Sequence, residues 1–227
     1  MTEYRVESDT LGEVKIPANA LWGAQTERSR HNFPTGTKMP LEMIRALLQI
    51  KRAAAIANKD AEALTAEKAD LIVAAIDKLL ALDDEDLRKD FPLVVYQTGS
   101  GTQTNMNVNE VVAHMAGKIN PDIEILPNDD VNHGQSSNDI FPTAMNITAA
   151  VAVDKLIAAA EHLLAELKIK QKKYWRVVKI GRTHLQDATP LTFGQEVSGW
   201  ASAIEHDIAY LKPVSYTHLT LPTILLV

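Results

Sequence analysis

The feature of the sequence that most constrains the fold is an uninterrupted helical pattern over residues 140–174. Pro142 falls in its first turn, where a proline is tolerated. Through residue 160 the pattern is apolar or small on nearly every face, so lipid or protein must cover it. Because the stretch is rich in alanine and contains Asp154 and Lys155, we expect a core helix of a bundle rather than a membrane span. A chain of 227 residues offers this helix few partners, and we expect other subunits to surround it.

The rest of the chain is also predicted to be mainly α. Apolar residues recur at helical spacing from Leu41 to about Lys59, from Leu71 to Leu80 and from about Leu191 to Leu211. Thr65 is the N-cap expected for the second of these helices.

Three shorter segments lack a helical pattern. Residues 4–17 alternate loosely between apolar and polar types, which predicts a short hairpin or an extended arm. Residues 18–37 are predicted to be irregular, since a proline and a glycine close them. The acidic run at residues 83–86 predicts a solvated turn.

Composition excludes several classes of function. The formal net charge is -6 and no basic stripe is present, which disfavours nucleic-acid binding. The absence of cysteine excludes disulfides, thiol nucleophiles and Cys-ligated iron–sulfur clusters. The first residues contain acids and no apolar core of a signal peptide, so a cytoplasmic location is expected. No pair of histidines has a spacing typical of a metal site.

Three polar segments lie beside predicted helix ends. Residues 97–109 contain hydroxyls, amides and two glycines but no charge, and a helix that includes Met106 and Met115 follows them. Residues 134–139 precede the long helix, and residues 181–190 lie between two predicted helices. Hydroxyls, amides and unpaired N–H groups at a helix start suit a carboxylate or a phosphate. His184 adds a side chain of the type that most often transfers protons in catalysis. The alternative is that these segments are polar connectors.

Four motifs occur in the same order as in one known family. They are Leu21-Trp22-Gly23-Ala24-Gln25-Thr26, the run from Gly99 to Glu110, Gln135-Ser136-Ser137-Asn138-Asp139 and the run from Gly181 to Pro190. With these motifs the chain resembles the fumarase/aspartase superfamily, and more narrowly the iron-independent (class II) fumarate hydratases, over nearly all of residues 3–212.

The resemblance implies a mainly α fold. Residues 1–135 would form an N-terminal lyase domain with a small extended arm. Residues 136–212 would be the first long helices of a central helical bundle. Members of the family build each site from three subunits of a homotetramer, so a homotetramer is expected of the full-length protein.

The resemblance also implies an activity, the reversible addition of water to fumarate to give L-malate, without a cofactor. Such chemistry needs a base beside a carboxylate and donors that hold the resulting dianion. His184 would be the proton-transferring histidine, acting through a water. The residues implied to bind substrate carboxylates are Ser100, Gly101, Thr102, Ser136, Ser137, Asn138 and Thr183.

The nearest alternative is an aspartate ammonia-lyase-like enzyme. Aspartases place Gln at the position of His184 and tend to have Thr at the position of Ser137, so both residues favour fumarate hydration. A second alternative is a catalytically silent helical fragment that binds dicarboxylates weakly.

The chain departs from the family pattern at two places. The family opens a second anion site with His-Pro-Asn-Asp, whereas this chain has Leu126-Pro127-Asn128-Asp129. Asn128 and Asp129 remain candidate ligands there, but Leu126 cannot donate a hydrogen bond. The family's later loop, which supplies a catalytic serine and a substrate-binding lysine, has no match. We therefore expect this chain to be inactive by itself.

The end of the chain has a different composition. Residues 213–227 contain no Asp, Glu, Lys or Arg and are rich in β-type residues. We expect them to be a non-native tail.

Overall fold

A computed structural model describes residues 3–217, with side chains as far as residue 213. The chain packs as two compact units that divide between Met145 and Asn146. The mainly α architecture is confirmed, since seven of the elements described are α-helices and the strands form two small hairpins. The domain boundary predicted after residue 135 stays a prediction.

The first unit begins with the expected hairpin arm. Strand β1 (Tyr4–Asp9) pairs antiparallel with strand β2 (Gly12–Pro17), from Tyr4 opposite Pro17 to Asp9 opposite Gly12. The guanidinium of Arg5 donates at 2.6 Å to the backbone oxygens of both Ala20 and Trp22. These bonds fasten the arm to the segment that follows it.

The prediction of an irregular segment at residues 18–37 was wrong in its middle, where helix α1 (Ala24–Asn32) forms. The sequence of α1 is polar and lacks an apolar stripe, so the helical pattern was weak. The helix start is stabilised from outside. The carboxylate of Glu110 accepts backbone N–H groups of Gly23, Gln25 and Thr26 at 2.9–3.1 Å. These are the N–H groups that a helix leaves unpaired at its start.

Two amphipathic helices follow as predicted. Helix α2 (Leu41–Asp60) begins directly after Pro40. Helix α3 (Ala66–Leu80) is capped by Thr65, whose hydroxyl accepts the N–H of Lys68 at 3.4 Å.

The acidic run is not a turn, as predicted, but the start of helix α4 (Asp84–Lys89). The carboxylate of Asp83 caps it by accepting the N–H of Asp86 at 2.8 Å. Leu87 is completely buried, and this single apolar anchor fixes the helix on the core.

Helix α5 (Thr102–Ile119) is the centre of the first unit and packs against α1, α2 and α3. It begins before Met106, so the second half of the polar segment at residues 97–109 is helical. A π-helical segment (Pro127–Val131) packs against α5. The fully buried apolar core of this unit includes Leu47, Leu48, Ile72, Ile76, Leu79, Val108 and Val111.

The long helix is confirmed as α6 (Ser137–Lys173), which begins in the first unit and continues into the second. Of its side chains only Ile140 and Ala144 are buried. Several large apolar side chains beyond them are exposed, namely Met145, Val151, Leu156, Leu163 and Ile169. No helix in the described part of the chain combines the length and the apolarity needed to cross a lipid bilayer.

The second unit also contains a hairpin and a further helix. Strand β3 (Val178–Thr183) pairs antiparallel with strand β4 (Gln186–Thr192), and helix α7 (Phe193–Thr217) follows. Ion pairs between Lys168 and Glu205 and between Lys212 and Glu161 join α6 to α7. The expected non-native tail starts inside α7, while residues 218–227 lie outside the described residues.

Replacing Glu110 with alanine should destabilise the first unit. The change leaves three N–H groups at the start of α1 without their acceptor. Burial raises the pKa of Glu110 although these N–H groups lower it, so removing the charge offsets part of the loss. We expect the free energy of unfolding to fall by about 2 kcal/mol, measured by urea denaturation of the chain. The exposed Glu124 is the control, and Glu124→Ala should change the free energy of unfolding by less than about 0.5 kcal/mol. Equal losses in both variants would contradict the role assigned to Glu110.

Candidate functional site

The starts of α5 and α6 meet through a chain of hydroxyl groups. The Ser100 hydroxyl lies 2.9 Å from that of Thr102, and the Thr102 hydroxyl lies 3.1 Å from that of Ser137. Ser100 is exposed and the other two side chains are partly buried. Residues predicted from two separate polar segments are thus in contact.

Gly101 explains how the two helix starts come so close. Its φ of 69° lies in the left-handed region, and it is the N-cap residue of α5. A Cβ built on it would lie 2.2 Å from Cγ of Phe141, in the first turns of α6. Only a glycine combines this backbone angle with this contact.

Ser136 and Asn138, two further predicted site residues, lie on either side of Ser137 at the start of α6. The Ser136 hydroxyl accepts the N–H of Asn138 at 3.3 Å, so Ser136 caps the start of α6. Asn138 is exposed. The α6 start therefore presents the side chains of Ser137 and Asn138 beside its first N–H groups.

This arrangement favours an anion. Two helix starts carry partial positive charge from their unpaired N–H groups. Gly101, the cap residue of α5, supplies no side-chain acceptor for those groups, although Oε1 of Gln97 accepts the N–H of Thr104 at 3.1 Å. The hydroxyls of Ser100, Thr102 and Ser137 can each donate to a carboxylate oxygen. The cluster thus offers neutral donors that suit a carboxylate, and its role in binding one stays a prediction.

A buried lysine lies behind this cluster, and sequence analysis missed it. Lys51 on α2 is completely buried, and its ammonium donates to Oδ1 of Asn132 at 2.6 Å. Burial lowers the pKa of Lys51 to about 7. A signal was available, because Lys51 lies one helical turn from both Leu47 and Ala55 on the buried face of α2.

The residues predicted for a second, accessory anion site lie elsewhere on the first unit. Asn128 and Asp129 are exposed in the π-helical segment and contact each other at 3.2 Å. With Leu126, which is 40% exposed, they line a cavity of about 890 Å³ whose walls also include Arg5 and His114. Both of these basic groups already contact Glu7, at 2.7 and 2.9 Å respectively. Burial lowers the pKa of His114, but its contacts with Glu7 outweigh that effect and raise it.

His184 and Thr183 lie in the second unit, in a β-hairpin rather than in the loop between helices that was predicted. Thr183 pairs with Gln186, so His184 and Leu185 form the two-residue turn. Both turn residues have positive φ, 49° and 64°, as a type I′ turn requires. The side chains of Thr183, His184, Leu185 and Gln186 are all exposed, and Leu185 is 93% exposed. Backbone strain of this kind, about 1–3 kcal/mol per residue, clusters at functional sites.

The described residues contain no group of three or more His, Cys, Asp or Glu side chains that could hold a metal ion.

Comparisons with known proteins agree with one another. The sequence model of the lyase family matches residues 12–224. The chain is 54% identical over 209 residues to a class II fumarate hydratase of Bacillus subtilis, which covers 89% of this chain and 45% of that relative. The chain therefore spans just under half the length of this curated relative.

Solved structures of similar proteins have the same fold. A class II fumarase from Schistosoma mansoni superposes with a TM-score of 0.78 at 42% identity, covering 93% of this chain and 45% of that one. A protein from Brucella melitensis described as fumarate lyase:delta crystallin superposes with a TM-score of 0.81 at 38% identity, covering 94% and 51%. The fumarase/aspartase-like fold is thereby confirmed.

Replacing Gly101 with alanine should disrupt the contact between the two helix starts. Its Cβ would meet the Phe141 ring and strain the backbone, so we expect the free energy of unfolding to fall by about 2 kcal/mol. Gly117, inside α5, is the matched control because a Cβ there meets nothing within 4 Å. Gly117→Ala should be neutral or stabilise by up to about 1 kcal/mol. Thermal and urea unfolding measure the stability of both variants. Equal effects of Gly101→Ala and Gly117→Ala would argue against the close contact assigned to Gly101.

Proposed function

The chain belongs to the lyase family, and we propose that the full-length protein is a class II fumarate hydratase. It would catalyse the reversible addition of water to fumarate to form L-malate. The observation that carries the proposal is the identity of 54% to the Bacillus subtilis enzyme over 89% of the chain. Because the chain spans 45% of that relative, the activity is assigned to the full-length protein.

The contact between the helix starts supports a dicarboxylate as the substrate. In the malate-to-fumarate direction a base removes a proton from the carbon beside one carboxylate, and that carboxylate becomes a dianion. The dianion then forms the C=C bond as the C–O bond of the neighbouring carbon breaks, and an acid protonates the departing hydroxide to give water. The hydroxyls of Ser100, Thr102 and Ser137 and the N–H groups of the helix starts are suitable donors to it. One well-placed donor of this kind is worth about 3–4 kcal/mol in the transition state.

His184 is the proposed proton-transferring group, with a water between it and the substrate. The β3–β4 hairpin leaves its imidazole exposed, so a partner can reach it. Thr183 would bind a substrate carboxylate beside it. His184 also favours fumarate hydration over the aspartate ammonia-lyase alternative, which has glutamine at that position. A cytoplasmic location stays a prediction.

The activity and the role of His184 are tested together in the full-length protein. Addition of fumarate should be followed by loss of its ultraviolet absorbance. His184→Asn should lower turnover by about 100-fold or more, because a proton-transfer group is lost. His31→Asn is the control, since the side chain of His31 is 71% exposed and far in sequence from the proposed site residues.

Two outcomes would contradict the proposal in different ways. A full-length protein without activity on fumarate or L-malate would overturn the assigned reaction. A near-normal rate in His184→Asn would remove this residue from the mechanism and leave the reaction standing. The 227-residue chain by itself is expected to be inactive in the same assay.

The proposed assembly is a homotetramer whose sites are shared between subunits. Exposed apolar side chains on α6, such as Val151 and Leu156, support it, because such a surface is stabilised by a second copy of the helix. We expect the 227-residue chain to self-associate in light scattering. Val151→Lys should weaken that association by placing a charge in the contact, whereas a clean monomer of the unchanged chain would contradict it.

A further inference from the structure

The most unusual buried group outside the hydroxyl cluster is Lys51. Its side chain is completely buried, and no salt bridge among the described residues includes it. Lysine is almost never fully buried unless it is paired. A leucine or methionine at this position on α2 would avoid the cost of desolvating an ammonium group. The cost indicates that the ammonium has a specific contact to make.

That contact fixes the orientation of one amide. Oδ1 of Asn132 accepts from the Lys51 ammonium at 2.6 Å and from Nδ2 of Asn105 at 3.0 Å. A cation requires the oxygen of an amide, not its NH₂ group, on its own side. The NH₂ group of Asn132 is therefore turned away from Lys51, and it donates to the backbone oxygen of Gln135 at 3.0 Å.

Gln135 is the residue directly before the start of α6. Its own side chain donates to the backbone oxygens of Val131 and His133 at 3.1 and 3.2 Å. Asn58 on α2 also donates to the oxygen of His133, at 3.0 Å. The backbone of residues 131–135 is thus held by side chains from beneath, and Ser136 and Ser137 follow it without a break.

We infer that Lys51 is a positioning residue: through Asn132 it holds the backbone of Gln135 and so sets Ser137 against Thr102. Lys51 does not touch the substrate. Its consequence for substrate binding rests on the proposed function, whereas its effect on the backbone of residues 132–139 does not.

The first measurement is hydrogen–deuterium exchange in the full-length protein. Lys51→Met keeps an unbranched side chain but removes the donor, so amides of residues 132–139 should exchange at least about tenfold faster, as expected for local opening. Amides of α3 should be unchanged. Lys78→Met is the control, because Lys78 is an exposed lysine on α3. A uniform increase over the whole first unit would mean that Lys51 only stabilises the fold, and would overturn the inference.

Asn132→Asp provides a second variant if Lys51→Met does not fold. Aspartate still accepts from Lys51 but cannot donate to the backbone oxygen of Gln135. The variant therefore keeps the first hydrogen bond of the series and removes the second. It should produce the same local increase in exchange. The double variant should exchange no faster than either single variant, because the two residues act in series. Additive increases would show that the two residues act independently.

The second measurement separates binding from folding. In the full-length protein Lys51→Met and Asn132→Asp should each raise the KM for fumarate by about tenfold. Each should raise the inhibition constant of succinate, a non-reacting dicarboxylate, by the same factor. Lys51→Arg should restore part of that loss, because arginine keeps a cationic donor. A lower kcat with both constants unchanged would refute positioning. If the unchanged protein does not hydrate fumarate, the proposed function fails, and the exchange measurement still decides the role of Lys51.

Discussion

The buried carboxylate of Glu110 on α5 is the interaction on which the start of α1 depends. It holds the start of α1 by three backbone N–H groups, and α1 has no apolar stripe that would fix it otherwise. Neighbouring polar side chains of α5 act in the same way. Asn105 reaches Asn132, Asn107 donates to the backbone oxygen of Asp90 at 3.1 Å, and His114 pairs with Glu7 of the arm. A helix that is buried on most sides therefore carries polar groups because each one fixes a different segment.

The same principle explains the candidate site. Neutral hydroxyls meet where two helices start, and the chain's negative net charge makes such local donors necessary for holding an anion. The contact depends on precise backbone placement, since hydrogen bonds weaken within a few tenths of an ångström. Gly101 allows the start of α5 to approach Phe141 of α6 closely. Asn132, which accepts from Lys51, holds the backbone oxygen of Gln135 directly before α6. The polar interior and the candidate binding surface are thus parts of one hydrogen-bonded arrangement.

The second unit follows a different logic. Helix α6 presents large apolar side chains to its surroundings, and the β3–β4 hairpin presents a histidine on a strained two-residue turn. Both features destabilise an isolated chain, because exposed apolar surface and positive φ angles cost free energy. In the proposed assembly, other copies of the chain would cover the helix and complete a site around the turn.

The sequence by itself determined the elements whose information is local or periodic. Helices α2, α3 and α6 follow from apolar spacing, the arm from alternation, and the cap at Thr65 from its hydroxyl. The order of the motifs also identified the family and most of the candidate site residues.

The tertiary structure alone decided the rest. Helix α1 exists because a carboxylate from distant α5 caps it, and the polar segment at residues 97–109 is half helical because its amides find partners in other elements. The turn at His184 became a hairpin because pairing of β3 with β4 outweighs the strain of two positive φ angles. Lys51 could be placed on the core face by its spacing, but only the fold shows which amide it holds, because that partner is distant in sequence and the contact has no periodic signal.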